Sequence, residues 1–550
     1  AAGQEEFRES SFPNVPSPAS LLVGSRIPLR ADQLHAGLVA ATSSTWTQAQ
    51  TATFLNAYDF ADLQSVVKSH RGQVPSKGTN DRSTARVFSG ILNSDPIVVP
   101  PPILDLPIES YRAFRAYYGD RPTMLYSATV DGQLHAIHMG DLKGRISIRN
   151  ATADNTWTDA VAPTLGAEVT QAARGQREAW SYVPNILLRQ LAYNTASQGY
   201  LMDGATVVRD VRLCQAIADS SHNQNNQACR AIATTGVLTA EQQWRTVLVQ
   251  AMGRAGGGYF AMDVTRTGGL RPGATSRTID RPDPAILWEF DRVWETTQVE
   301  ALALRDPGLV FPPTAQEGDF SDPGNLCSGN ADAFWSSPAM GLSISAPEIA
   351  TLAIDMGNAG VQQRPVAVFA AGAADENVDG CGAGLQGSAI YVIDLQTDSL
   401  LRRFVTYFDG TVNQTFAKNK DATFETRFGR IQLTGSPALY DASTGSLASR
   451  GFVGDSIGRL YRMNFQDSNP ANWKVDLFFD PYASADLQSK ANTAIGGGSA
   501  VNFGPAAFKP AISRGPNRQL VVTYGLGDTS DTPAPNIAQA VITIAEADGT

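Results

Sequence analysis

The sequence predicts an all-β fold, a modified β-propeller of about seven blades with long loop and helical insertions. Three observations lead there. One hairpin pattern recurs along the chain, several copies follow a Ser/Gly–Pro lead-in, and several are trailed by another apolar strand. Composition agrees, because 49 Gly and 31 Pro punctuate a chain of 550 residues that is only 17% charged. Many short strands joined by turns produce that balance more readily than a helical bundle does.

Residues 1–85 form a lead of a different kind, irregular with a short helix. Pro13, Pro16 and Pro18 open it, and Phe54, Leu55, Tyr58, Leu63, Val66 and Val67 then fall at helical spacing within Thr45–His70. Residues 86–550 carry the propeller pattern. Met124–Ala128 leads through Asp131-Gly132 to Leu134–His138, and Thr246–Val249 leads through Gly256–Gly258 to Tyr259–Asp263. Val366–Phe369 leads through a longer loop to Ala389–Asp394, and Gly451–Asp455 leads through Gly458 to Leu460–Asn464. Apolar runs flanking Gly or Asp-Gly are hairpin signals.

Lead-ins occur at Ser94–Val99, Ser336–Ala339, Gly435–Ala438 and Gly504–Ala507, and outer strands at Ile286–Phe290 and Leu400–Phe404. Lead-in, hairpin and outer strand make one four-stranded blade. About six such units are legible, and a seventh would be closed from both chain ends. Long, loop-rich insertions at 141–240 and 291–335 separate blades and are where partner contacts are expected; Ile186–Leu191, inside the first, reads as a helical turn or two.

The net charge of −10 contains no block of like charges, which disfavours nucleic acid as a partner. No apolar run reaches the length of about 18 residues that a membrane-spanning helix needs. The sequence begins Ala1-Ala2-Gly3-Gln4, as expected of a mature protein or a fragment. Four cysteines, Cys214, Cys229, Cys327 and Cys381, include no C-x-x-C pair, and five His make zinc an unlikely guest. Cys214 and Cys229 bracket a polar stretch, and a disulfide between them would contribute about 3 kcal/mol and imply an oxidising compartment. Four free thiols are the alternative.

The strongest metal signal is Asp375-Glu376-Asn377-Val378-Asp379-Gly380, with side-chain oxygens at the first, third and fifth positions and Gly at the sixth. Such a loop folds its oxygens back onto a hard cation, so calcium would be held by Asp375, Asn377, Asp379 and the Cys381 carbonyl. The twelfth position is Gln386, which lacks the bidentate carboxylate, and a solvated polar loop is the plainer reading. His135 and His138 lie three apart on a predicted strand and face opposite ways, so they cannot share a metal. Asp263, Asp394 and Asp455 close hairpins, where a carboxylate accepts backbone hydrogen bonds. Gly253–Gly258 lacks the Lys-Ser/Thr of a phosphate loop and precedes a strand, which makes it a turn.

Several of these segments resemble, in order, the C-terminal domain of the PilC/PilY family of type IV pilus tip and assembly proteins. Tyr126–Ala136 reads Y-S-A-T-V-D-G-Q-L-H-A against the family's Y-x-x-x-N-D-G-x-L-H-A, departing mainly at Val130. Ile91–Val99, Ala179–Pro184 with Leu187 and Leu191, Met202–Gly204, Trp244–Val249 with Tyr259–Thr265, and Val453–Tyr461 are similar to further family segments. Together they cover roughly 90 to 465 of the chain. The resemblance implies an extracytoplasmic protein of the periplasm, outer membrane or pilus tip. It would bind minor pilins, prime pilus assembly and mediate adhesion to a host or abiotic surface.

The family's N-terminal half, often carrying a von Willebrand A-type domain, has no counterpart in these residues. The family's calcium loop falls at Asp441–Ser449, which retains one carboxylate and is not carried over. Blade patterning also resembles quinoprotein dehydrogenases, so a quinone- or calcium-dependent oxidoreductase is the rival reading. Those enzymes use vicinal cysteines and periodic Trp motifs. Here no Cys-Cys pair occurs and eight Trp follow no period, so a non-enzymatic role is expected. An adhesin acting independently of pili is the third reading.

Overall fold

The computed structural model describes residues 34–36, 39, 46–70, 89–119, 121, 123–140, 149–151, 157–159, 177–188, 190–191, 200–213, 243–254, 256–265, 285–305, 338–357, 360–374, 386–405, 432–441, 447–494, 502–515, 519–527 and 537–546. The chain divides into two compact units. The first comprises Ala1–Ala216, Ser220–Gln250 and Phe260–Glu289; the second comprises Ile217–Asp219, Ala251–Tyr259 and Phe290–Thr550.

The protein is all-β in architecture, built largely from four-stranded antiparallel sheets whose strands follow chain order. The strands of the first are β1 (Ile97–Val99), β2 (Thr123–Thr129), β3 (Gln133–Gly140) and, after β4 (Arg149–Ala151) and β5 (Trp157–Asp159), β6 (Arg177–Tyr182). A second holds β7 (Thr206–Val211), β8 (Arg245–Ala251), β9 (Gly258–Asp263) and β10 (Ala285–Asp291). The third runs β11 (Glu348–Asp355), β12 (Val361–Ala370), β13 (Ala389–Asp394) and β14 (Ser399–Val405). The fourth runs β15 (Ala438–Asp441), β16 (Ala448–Gly454), β17 (Leu460–Asn464) and β18 (Lys474–Phe479).

After a parallel pair, β19 (Asn502–Phe503) with β22 (Ile537–Ala538), comes a fifth blade-like sheet. It has three strands among the described residues: β20 (Ala511–Arg514), β21 (Leu520–Leu526) and β23 (Ala540–Ala545). All four predicted hairpins and both predicted outer strands fall on these elements.

Helices are few. In the N-terminal lead, α1 (Gln48–Phe54) and α2 (Phe60–His70) occupy the segment whose spacing predicted helix. They form two helices because Asn56 adopts a positive φ of 59° and breaks the run. Tyr58, read as part of the apolar face, is consequently 94% exposed. Thr47 and Gln50 form a reciprocal capping box at the start of α1. α3 (Glu109–Tyr117) packs Tyr111 and Phe114 against Leu106 and Trp244 in the first unit. α4 (Asn185–Leu188) is the short turn predicted at Ile186–Leu191. α5 (Arg292–Arg305) opens the region 291–335 that the sequence presented as a loop-rich insertion. α6 (Ala485–Ala494) lies between the fourth and fifth sheets.

Central strands are buried on both faces, so they read as continuous apolar runs rather than alternating ones. Every residue of β13, Ala389–Asp394, is buried. In the second unit the core between the third and fourth sheets is mainly aliphatic, with Leu352, Val368, Val392, Val453 and Met463 in one cluster that Phe465 and Trp473 join. It is aromatic elsewhere: Tyr259 stacks on Phe369 with ring centroids 4.0 Å apart, and Phe290 meets Tyr391 edge-on at 4.9 Å.

The Ser/Gly–Pro lead-ins run into β1 at Ile97 and into β15 at Ala438, and they also form seams. In the second unit the backbone at or beside each lead-in crosses a turn of the preceding sheet and bonds to it. Ser343 N donates to Gly256 O at 3.1 Å, Gly372 N to Leu433 O at 3.1 Å and Ala506 N to Asp455 O at 2.9 Å. The approach is close enough to exclude side chains. A Cβ on Gly454 would sit 2.3 Å from both the Cβ and the carbonyl oxygen of Ala506. Small residues recur in the lead-ins for that reason.

Ser343 shows how a seam is secured. Its hydroxyl accepts from Met252 N, Gly253 N and Gly258 N at 3.1, 3.2 and 3.3 Å, and donates to Gly256 O at 2.9 Å. One buried side chain thus holds the β8–β9 turn, which is the Gly-rich stretch read as a turn from sequence. Ser343→Ala removes an acceptor from three amides, two of which keep a backbone acceptor in Gly258 O and the residue-343 carbonyl, and should cost about 1–2 kcal/mol in urea unfolding of the full chain. A loss below about 0.5 kcal/mol would show the turn holds without it.

Candidate functional site

The acids that close hairpins come first, since a carboxylate can serve as a catalytic group. Asp263 Oδ1 accepts from Thr265 N at 3.0 Å and Oδ2 lies 3.2 Å from Arg245 Nε. Asp394 Oδ1 accepts from Gln396 N and Thr397 N at 2.7 and 3.2 Å. Asp455 Oδ1 accepts from Ile457 N and Arg459 N at 3.1 and 2.8 Å, across a turn whose Gly458 has φ +91°. All three fix the loops that follow their strands, as the sequence suggested. His135 is also structural: it is buried, with Nε2 3.0 Å from Thr129 Oγ1. The side chain of His138 lies outside the described set.

Asp455 is the acid whose burial has a measurable consequence. Desolvation raises its carboxyl to about 6, against the opposing pull of Arg459 and two backbone donors. An unfolded aspartate titrates near about 3.9, so the folded chain binds this proton more tightly than the unfolded one. The group's contribution therefore stabilises the fold increasingly as pH falls from about 6 towards about 4, and that stabilisation is lost as pH rises through the folded value. Asp455→Asn should flatten this part of the profile in urea titrations compared at about pH 7 and about pH 5. An unchanged slope would assign the pH dependence to other groups.

Two further buried acids were missed by sequence reasoning. Glu289 Oε1 accepts from Tyr182 OH at 2.7 Å and Asn185 N at 3.0 Å, while Oε2 accepts from Ile186 N at 3.2 Å. It anchors α4 from inside an apolar strand. A charge amid Ile286-Leu287-Trp288-Glu289-Phe290 was the available signal. Glu295, on α5, accepts from Ala339 N, Met340 N, Tyr391 OH and Arg403 Nη1. Nothing in its local sequence announces that role.

A surface feature in the first unit has the opposite character, with aliphatic side chains left in solvent on a backbone held by polar bonds. Ile91, Leu92, Val98, Ile103 and Leu104 are 42, 55, 54, 61 and 39% exposed. They fall within one stretch, Ile91–Leu104, in which β1 is flanked by Pro96 and Pro100 and followed by Pro101 and Pro102. The prolines stiffen the backbone and deny the β1 edge to further strand pairing.

Side chains from elsewhere in the unit fix the stretch in place. Asn93 Nδ2 donates to Asp203 Oδ2 at 2.7 Å. Arg121 Nη2 donates to Pro100 O at 2.7 Å, while its Nη1 donates to Thr246 Oγ1 and Thr265 O at 2.7 and 3.2 Å. Burial pushes the Arg121 guanidinium below its ordinary value, with Asp210 opposing. Thr246 passes the bond on to Asp210, which also accepts from Tyr111 OH at 2.8 Å. Arg115 Nη1 reaches Leu104 O at 3.2 Å. Rigid backbone with solvent-facing aliphatic groups is the anatomy of a protein-docking surface.

The residues proposed from sequence to hold calcium, Asp375, Asn377, Asp379 and Cys381, lie outside the described residues, as do all four cysteines. The insertions expected to carry contacts, 141–240 and 291–335, are described in part: β4, β5, β6, β7 and α4 in the first, α5 in the second.

No family model matches the chain, and no curated protein matches it in sequence. Among solved structures the chain is similar to the crystal structure of the Pseudomonas aeruginosa PilY1 C-terminal domain, at 16% identity and a TM-score of 0.39, over 80% of this chain and 60% of the length of that one.

Proposed function

We propose that this protein is an extracytoplasmic binding module of the type IV pilus tip, which docks minor pilins and so supports pilus assembly and surface attachment, without catalysing a reaction. The observation that carries the reading is the aliphatic stretch Ile91–Leu104, exposed yet pinned through Asn93, Pro100 and Leu104. The sequence supports its pilus context. The ordered segments that resemble the PilC/PilY family include Ile91–Val99 itself, and the hairpin Tyr126–Ala136 falls on β2 and β3, of which β2 pairs with β1. A rigid sheet presenting fixed loops suits recognition of another folded protein.

The test is deletion of the gene in its native host, with surface pili counted separately from attachment. The reading predicts that pili and attachment are lost together and that the wild-type gene restores both. Normal pili with attachment alone impaired would replace it with an adhesin independent of pili.

A further inference from the structure

Among the described residues, the sheet nearest the end of the chain is one strand short of its sisters. The other blade-like sheets each have four strands, whereas β20, β21 and β23 make three among the described residues. Burial shows the consequence. The third strands β9 and β13 are buried throughout, and β17 presents only two half-buried residues. By contrast β23 alternates half-buried and exposed along its whole length, with Val541 78% exposed. Ile542 and Ile544 reach the core cluster of Phe452, Leu460 and Tyr524 but remain only partly covered.

Register identifies the open hydrogen-bonding groups. β23 pairs with β21 without a shift, Val521 opposite Ala545 and Leu526 opposite Ala540. Glu546 N donates to Leu520 O at 2.8 Å, so 546, 544, 542 and 540 direct their backbone groups to β21. Val541, Thr543 and Ala545 therefore point N–H and C=O outward. Outer strands in this protein can carry charge that is not buried: Asp291 on β10, Lys474 and Asp476 on β18. β23 reads Ala-Val-Ile-Thr-Ile-Ala, with neither charge nor proline. Edges left in solvent are ordinarily guarded by such residues, and this one is not.

We propose that β23 receives an extended segment of another polypeptide as the fourth strand of its sheet. The chemistry of the occupant follows from the edge. It is a strand of about six residues with alternate apolar side chains to cover Ile542 and Ile544, held mainly by main-chain bonds to Val541, Thr543 and Ala545. A second copy of this chain fits less well, because edge-to-edge pairing would build six strands where the sister sheets stop at four. A six-residue edge also falls well short of the roughly 1,000 Å² that a stable dimer buries. The inference does not depend on the pilus reading, since the probes below contain no pilin sequence.

The test uses the full chain and three synthetic peptides carrying the sequences of β10, β14 and β18, each with a scrambled control. Amide hydrogen exchange across 537–546 is followed by mass spectrometry. At least one native-order peptide should slow exchange there by about tenfold or more, and its scramble should not. Thr543→Pro removes an outward N–H while sparing the bonds to β21, and should abolish the effect. Val541→Lys, an edge guard on an exposed side chain, should weaken it if the proline variant folds poorly. Four results would overturn the proposal: no slowing by any peptide at about 1 mM; equal slowing in both variants; protection already present in the free dilute chain; or protection that grows with chain concentration alone, which would assign the edge to a second copy.

Discussion

Glu295→Ala is expected to destabilise the chain by about 3–5 kcal/mol, among the largest effects any single substitution in the second unit would have. Glu295 and Arg403 are both fully buried and pair at 3.0 Å. Removing the carboxylate breaks this ion pair and leaves a buried guanidinium without that counter-charge. It also takes the acceptor from Ala339 N, Met340 N and Tyr391 OH at one stroke. The cost is therefore dominated by what is left behind, and a second change should return part of it. Arg403→Met in the same chain removes the buried charge and should recover about 1–3 kcal/mol in urea unfolding. A single-variant loss under about 1 kcal/mol would mean the α5 helix is not anchored through this residue.

Arg364→Met should have a comparable effect for a related reason. Arg364 lies on β12 and Asp394 at the end of β13, both side chains fully buried, with Nε to Oδ2 and Nη2 to Oδ1 each 2.9 Å. Nη1 also donates to Gln396. Methionine fills the space but leaves a buried carboxylate unopposed, at a cost of about 3–5 kcal/mol. Here Asp394→Asn is the compensating change, because an amide oxygen can still accept from Gln396 N and Thr397 N without carrying charge. The double variant should regain much of the loss in the same unfolding measurement, and additive losses would show that the two residues act separately.

Both effects concern residues that the sequence presents unequally, and the difference is physical. Asp394 was legible because an acid closing a β-hairpin has a local partner, the turn two or three residues on. Glu295 was not, because its partners lie 44 to 108 residues away. The helix that carries it was missed for the same reason. Hydrophobic periodicity finds a helix by its apolar face, and the face of α5 that packs inward presents Glu295 itself, at 0% exposure.

Hairpins were the easiest elements to read. Apolar runs bounded by Asp-Gly or Gly leave few alternatives, and Gly132 at φ +86° sits where the Asp131-Gly132 turn predicted it. The seams were half legible. Their Ser/Gly–Pro composition stood out, but only the backbone contacts explain why small residues are needed there. The aliphatic stretch could not be recognised as a surface from sequence, because Ile-Val-Val beside Leu and Ile reads like any buried strand. Exposure of Leu92 and Ile103 is a property of what fails to cover them.

The decisive measurement is the affinity of the purified chain for purified minor pilins, wild type against the double variant Leu92→Asp/Ile103→Asp. Both side chains are more than half exposed, so folding should be unaffected, within about 0.5 kcal/mol per site. The account predicts binding by the wild type and a loss of about tenfold or more in the variant at unchanged thermal stability. Equal affinity in both chains, or none in the wild type, would contradict it.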